Sequence, residues 1–199
     1  MDQLIRWGRD ALLLAAAAGV PVVALWGVLV WARTRKVGRR AAIKIAALDA
    51  GLVFSLAAIA VIGLRPGWGE TGGWVQWNFV PFRDLAVSLD QPSWAQQIAI
   101  TNLIGNILLF LPWGFMLTLR FPRTGWAMVL VSTAALSLAV EIGQAITATG
   151  RLSDVTDVLM NTVGGAVGFA IGRWAVTKRP GLRVTGDDAR DLRRDRELR

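Results

Sequence analysis

The chain contains no cysteine and no histidine. The first absence excludes a disulfide framework and a thiol nucleophile, the second the commonest general base, and together they exclude zinc sites of the usual Cys/His kind. Charge is scarce as well. Asp, Glu, Lys and Arg make up 18% of the 199 residues, against about 25% in ordinary globular domains. What is abundant is apolar: 54% of the residues are hydrophobic, and mean hydropathy is +0.46. A soluble fold of this composition would expose a greasy exterior, so the chain reads as a membrane protein.

The stretch from Ala11 to Ala32 carries no charge and exceeds the roughly 20 residues needed to cross about 30 Å of hydrocarbon. It is also longer than the h-region of a signal peptide. Further spans are expected at about Ile45–Leu64, Ile98–Leu119, Gly125–Ala148 and Val158–Thr177. The expectation is an all-α integral membrane protein, a bundle of five transmembrane helices forming one membrane domain over residues 1–177. A basic, charged cytoplasmic tail follows over residues 178–199.

Loop charge orients the bundle. Of the 22 Lys and Arg residues, 17 fall between the first two spans, between the third and fourth, or from Arg173 near the end of the fifth to the C-terminus. Arg6, Arg9, Arg65, Arg83 and Arg151 are left on the other side. The positive-inside rule then puts the N-terminus outside and the C-terminus in the cytoplasm of a plasma-membrane protein. Arginines alternate with aspartates in the tail, which reads as a solvated segment near anionic lipid rather than a nucleic-acid binder. The long loop Arg65–Gln97 faces outward and interleaves Gly67, Gly69, Gly72 and Gly73 with Trp68, Trp74 and Trp77. Glycine breaks regular structure and tryptophan prefers headgroup depth, so this loop is expected to lie on or re-enter the outer interface.

Polar residues gather at that outer end. The loop supplies Asn78, Arg83 and Asp84; Asn102, Gly105 and Asn106 share one face of the third span at i, i+3, i+4; Glu141 and Gln144 lie near the end of the fourth. Arg151, Asp154 and Asp157 follow in the short loop, and Asn161 opens the fifth span. Its polar face continues into Gly164, Gly165, Gly168 and Gly172, a small-xxx-small stripe for close helix packing. Structural readings stand beside functional ones. Asp154 and Asp157 fit a helix cap, Asn102, Asn106 and Gln144 fit interhelical hydrogen bonds, Pro112 fits a kink, and Asp49 fits interfacial pairing with Lys44. Glu141 is harder to dismiss, since a carboxylate within a span costs about 2.5–3.5 kcal/mol on insertion scales. Protonation or pairing with Arg83 or Arg151 would relieve that cost.

Asn78-Phe-Val-Pro-Phe82, then Asn102-Leu-Ile-Gly-Asn106 running into Phe110-Leu-Pro-Trp-Gly114, then Glu141-Ile-Gly-Gln144, then Arg151 with Asp154, Asp157, Asn161 and Gly164-Gly165 resemble the successive motifs of the VanZ-like family. The resemblance covers residues 78–172. It implies a bacterial integral membrane protein, in a family whose founding type accompanies low-level resistance to teicoplanin, a lipoglycopeptide acting outside the membrane. It supplies no catalytic residue.

Three functions compete. The leading one is a cleft in the outer leaflet that binds an envelope lipid, a lipid-linked glycan or a lipoglycopeptide. Arg83 and Arg151 would meet phosphate or carboxylate, Asn78, Asn102, Asn106, Gln144 and Asn161 would bond sugar or amide groups, and Glu141, Asp154 and Asp157 would orient the arginines. No cofactor is required, and other envelope proteins are candidate partners. The second is an enzyme on a lipid-linked precursor, with Glu141 and Asp157 as acid and base, or with Glu141, Asp154 and Asp157 around a divalent cation, Mg²⁺ or Ca²⁺. A small transporter or structural accessory protein comes third.

Overall fold

The computed structural model describes residues 39–64, 77–121, 123–147, 153–182 and 184, together with Val28 and Ala32. The rest of the expected first span, residues 65–76 of the outer loop, Arg151 and residues 185–199 lie outside the described residues. The elements are α1 (Arg39–Gly63), β1 (Trp77–Asn78), α2 (Arg83–Ser88), α3 (Ser93–Arg120), α4 (Trp126–Thr147), β2 (Ser153–Asp154), α5 (Val155–Lys178) and a 3₁₀ turn (Pro180–Leu182). Among the described residues four helices are long and apolar enough to cross a membrane: Ala41–Gly63, Ser93–Arg120, Trp126–Ala145 and Val155–Lys178.

Two boundaries differ from the sequence reading for local reasons. Helix α3 begins at Ser93, not Ile98. Pro92 precedes it with an extended backbone, and the helix runs through Gln96 and Gln97, which interrupt an apolar run without interrupting backbone hydrogen bonding. The Gln96 amide turns back to donate to the carbonyls of Leu89 (3.2 Å) and Gln91 (3.3 Å), closing the turn from α2. Helix α5 begins at Val155, not Val158, because Asp154 caps it: its Oδ1 accepts from the Thr156 N–H at 2.8 Å. Pro112 lies inside α3, which is helical on both sides of it. One departure from an all-helical fold is a parallel pairing of β1 with β2, Trp77 opposite Ser153 and Asn78 opposite Asp154.

The chain divides into two compact units between Ala50 and Gly51. In the described part of the first, Ala42, Ile45, Ala46 and Leu48 are buried along α1. In the second, α5 packs most extensively on α3 and next on α4. The glycines make this approach close. A Cβ on Gly164 would collide with the Ile107 carbonyl, one on Gly168 with the Leu111 carbonyl and the Phe115 N, and one on Gly172 with Thr118. From the α3 side, a Cβ on Gly114 would collide with the Gly165 carbonyl, and Gly165 itself sits against Thr133 of α4. Positions i, i+4, i+8 of α5 therefore seat in turn against Ile107, Leu111 and Thr118 along α3. Below them, Leu117, Val129 and Phe169 form a buried cluster with Leu52 and Trp113 packed on it, and the Trp126 ring meets Phe169 edge-on at 4.6 Å. Phe54, Val61, Leu108, Val131 and Trp174 point outward, as side chains do on a surface solvated by lipid.

This connectivity brings one end of the second unit together. The C-terminal ends of α1 and α4, the β1–β2 pair, α2, and the N-terminal ends of α3 and α5 all meet there.

Candidate functional site

At that end Asp154 is the hub of a buried network. Asp154 Oδ2 accepts from the Asn78 amide at 3.1 Å, and its Oδ1 caps α5. Its backbone N–H donates to Glu141 Oε2 at 3.2 Å. Asn78 Oδ1 in turn accepts from the Val80 N–H at 3.1 Å, turning the chain after β1. The Thr156 hydroxyl accepts from the Phe82 N–H at 2.9 Å. Asn78, Glu141 and Asp154 are buried, with Glu141 only 1% exposed. Their bonds fasten the loop carrying Asn78-Phe-Val-Pro-Phe82 onto the start of α5, and charge-assisted bonds of this kind are stronger than neutral ones. Phe82 takes a left-handed backbone, φ 58° and ψ 19°. A bulky residue pays roughly 1–3 kcal/mol for that conformation, and the Thr156 bond holds it there.

Beside this staple lies an open cleft of about 180 Å³. Its lining mixes polar side chains, Asp84, Asn102, Asp154, Thr156 and Asp157, with apolar ones, Phe82, Leu85, Ala99 and Leu103. Asp157 is held by the Asn106 amide, which donates to its Oδ1 at 2.6 Å from α3. Asn102 is exposed on the cleft rim. Pockets that engulf drug-sized molecules run to about 300–1,000 Å³, so this cleft is smaller than those.

The sequence-named residues therefore separate. Asn102, Asp154 and Asp157 line the cleft, with Asn106 directly behind Asp157. Asn78 and Glu141 lie behind Asp154. Gln144 belongs to helix packing, its amide donating to the Gly63 carbonyl of α1 at 2.6 Å, and Asn161 bonds Ser137 of α4 at 2.8 Å. Gly105 does not join Asn102 in lining the cleft. Arg83 is exposed on α2 and is not among the residues lining the cleft. Arg151 lies outside the described residues. Glu141 accepts from the Asp154 N–H and Asp157 from the Asn106 amide, and among the described residues no group of three acidic side chains is arranged to hold a metal ion.

Several contributors have no clear sequence signal. Thr156 and Leu85 line the cleft beside Asp84, where the bond from the Phe82 N–H to the Thr156 hydroxyl ties the chain before α2 to the start of α5. Thr133 and Ser137, fully buried on α4, extend the polar contact between α4 and α5 deeper than the motif residues do. Serine and threonine within spans ordinarily bond their own helix, so their presence alone marks nothing.

Residues 50–176 match the VanZ/LLP1 family model. A segment of 70 residues is 39% identical to Protein VanZ of Enterococcus faecium, covering 35% of this chain and 43% of that protein. The aligned segment thus spans less than half the length of that relative. No solved structure matches the chain. With the family model extending over more than half of its length and the motif residues gathered at one end of a membrane-type helical fold, the chain belongs to the VanZ/LLP1 family.

Proposed function

We propose that this protein binds the polar head of an envelope lipid or lipid-linked glycan at its extracytoplasmic end, and that this binding lowers susceptibility to a glycopeptide such as teicoplanin. The observation that carries the reading is the cleft. Carboxylates, an amide and a hydroxyl line it together with apolar side chains, a mixture suited to a hydroxyl-rich or amine-bearing head with an apolar flank. The relative named Protein VanZ supports the setting.

Asp157→Asn tests the reading, since it is nearly isosteric and retains an acceptor for Asn106. Expressed in a susceptible host, the wild-type chain should raise the inhibitory concentration of teicoplanin, and Asp157→Asn should abolish that rise while accumulating and melting normally. Full activity in Asp157→Asn would remove the cleft from the function. The orientation belongs to the same proposal. A reporter fused after Pro180 should read as cytoplasmic, and a label near Gly72 should react from outside; the reverse pattern would put the cleft on the wrong side.

A further inference from the structure

Hydroxyl groups within spans ordinarily spend their proton on their own helix. Ser55 bonds the Gly51 carbonyl, Thr118 that of Gly114, and Thr162 that of Val158. Thr133 does not follow them. The carbonyl one turn before it, that of Val129, accepts from the Ser132 hydroxyl at 3.1 Å, and the fully buried Thr133 Oγ1 has no hydrogen-bond partner among the described residues. A Cβ on Gly165 would collide with this oxygen, so Thr133 Oγ1 fills the place that the glycine leaves open on α5. One turn nearer the cleft lie Ser137 on α4 and Asn161 on α5, both buried. These two meet, the Asn161 amide donating to Ser137 Oγ at 2.8 Å. The bond leaves Asn161 Oδ1 buried with no partner, and the Ser137 proton with no acceptor, among the described residues.

Two hydroxyl protons and one amide oxygen are thus left over within a single turn of two facing helices. Buried polar groups in native folds are nearly always bonded, either to protein or to ordered water. The levels of Thr133 and Asn161 differ by one turn, about 5.4 Å, which exceeds one hydrogen bond and matches two of about 2.8 Å in series. We propose that one ordered water is bound at this contact, accepting from the Thr133 and Ser137 hydroxyls and donating to Asn161 Oδ1. Three partners are the usual complement of a buried water. The trio carries no formal charge, so a neutral guest suits it and a cation would go uncompensated. Thr133, Ser137 and Glu141 recur at i, i+4, i+8 along α4 and are all buried. The water completes this polar edge, about 12 Å long, and fixes the rotation of α4 against α5 on which the bond from Glu141 to the Asp154 N–H depends.

The test uses the full-length protein. Thr133→Val keeps the shape and removes the hydroxyl; in detergent it should lower the melting temperature by about 2–8 °C, since Asn161 Oδ1 and Ser137 lose a well-held bridge. Thr133→Ser, which retains the hydroxyl, should melt within about 2 °C of the wild type. A Thr133→Val variant that melts at or above the wild type would overturn the proposal, because a hydroxyl buried without a partner is better replaced by a methyl group. A nanodisc structure at a resolution that shows ordered water separates a bridge from a bond within α4. Density at hydrogen-bond distance from both Thr133 Oγ1 and Asn161 Oδ1 is expected; a dry contact, or a Thr133 hydroxyl turned onto the Val129 carbonyl, would overturn the water. The melting temperature should be the same in sodium chloride and choline chloride. Stabilisation by sodium alone would make the guest a cation and overturn the assignment.

Discussion

Gly168→Leu is expected to prevent stable assembly of the membrane domain. Even the Cβ of the new side chain would collide with the Leu111 carbonyl and the Phe115 N, backbone atoms of a helix that cannot move aside without also releasing Gly164 and Gly172 from their seats. Overpacking a core that can adjust its side chains costs about 1–3 kcal/mol. Here the obstacle is backbone, and the cost should be about 4 kcal/mol or more, in the range reserved for disrupted cores. Little folded protein should survive extraction in mild detergent, and what survives should melt far below the wild type. Gly105→Leu is the internal control, since the same substitution in the partner helix meets open space. Equal stability of the two variants would mean that α5 does not lie on α3 as described.

The second large effect is at Asp154. Replacement by alanine removes the cap of α5, worth about 0.5–2 kcal/mol, and leaves the buried Asn78 amide without its acceptor, at about 1–3 kcal/mol. A loss of about 2–4 kcal/mol is expected, readable as a lower midpoint in denaturant titration in detergent. Asn78→Ala should cost less, since the cap survives. Combined, the two substitutions should be less damaging than their sum by about 1 kcal/mol, because each removes the same bond. Additivity within about 0.3 kcal/mol would show that the bond between them contributes nothing.

These two predictions mark the boundary between what spacing reveals and what it leaves hidden. The run Gly164, Gly168, Gly172 is legible because a helical period places the three on one side, and a stripe without side chains suits a helix neighbour and not lipid. Its counterpart, Gly114, is not legible, since α3 offers no repeat of small residues. Asp154 is readable as a cap from the helix start that follows it. Its bond to Asn78 spans 76 positions and depends on a strand pair only two residues long, too short for any alternation to announce. Spacing gives each polar residue a face but no partner. Gln144 fits both a ligand group and an interhelical bond by spacing; its amide meets a backbone carbonyl on α1, a partner that no side-chain pattern could indicate. Asn102, Gly105 and Asn106, grouped by i, i+3, i+4 spacing, divide among a cleft rim, an open outer surface and a bond to Asp157. That helix face is wide enough to meet three different surroundings.

The measurement that most directly tests the central claim is a structure of the protein in a lipid nanodisc at a resolution that shows bound lipid. A headgroup is expected in the cleft, within hydrogen-bond distance of Asn102 and Asp157. A cleft filled by protein side chains, or ordered lipid bound only on other faces of the protein, would contradict it.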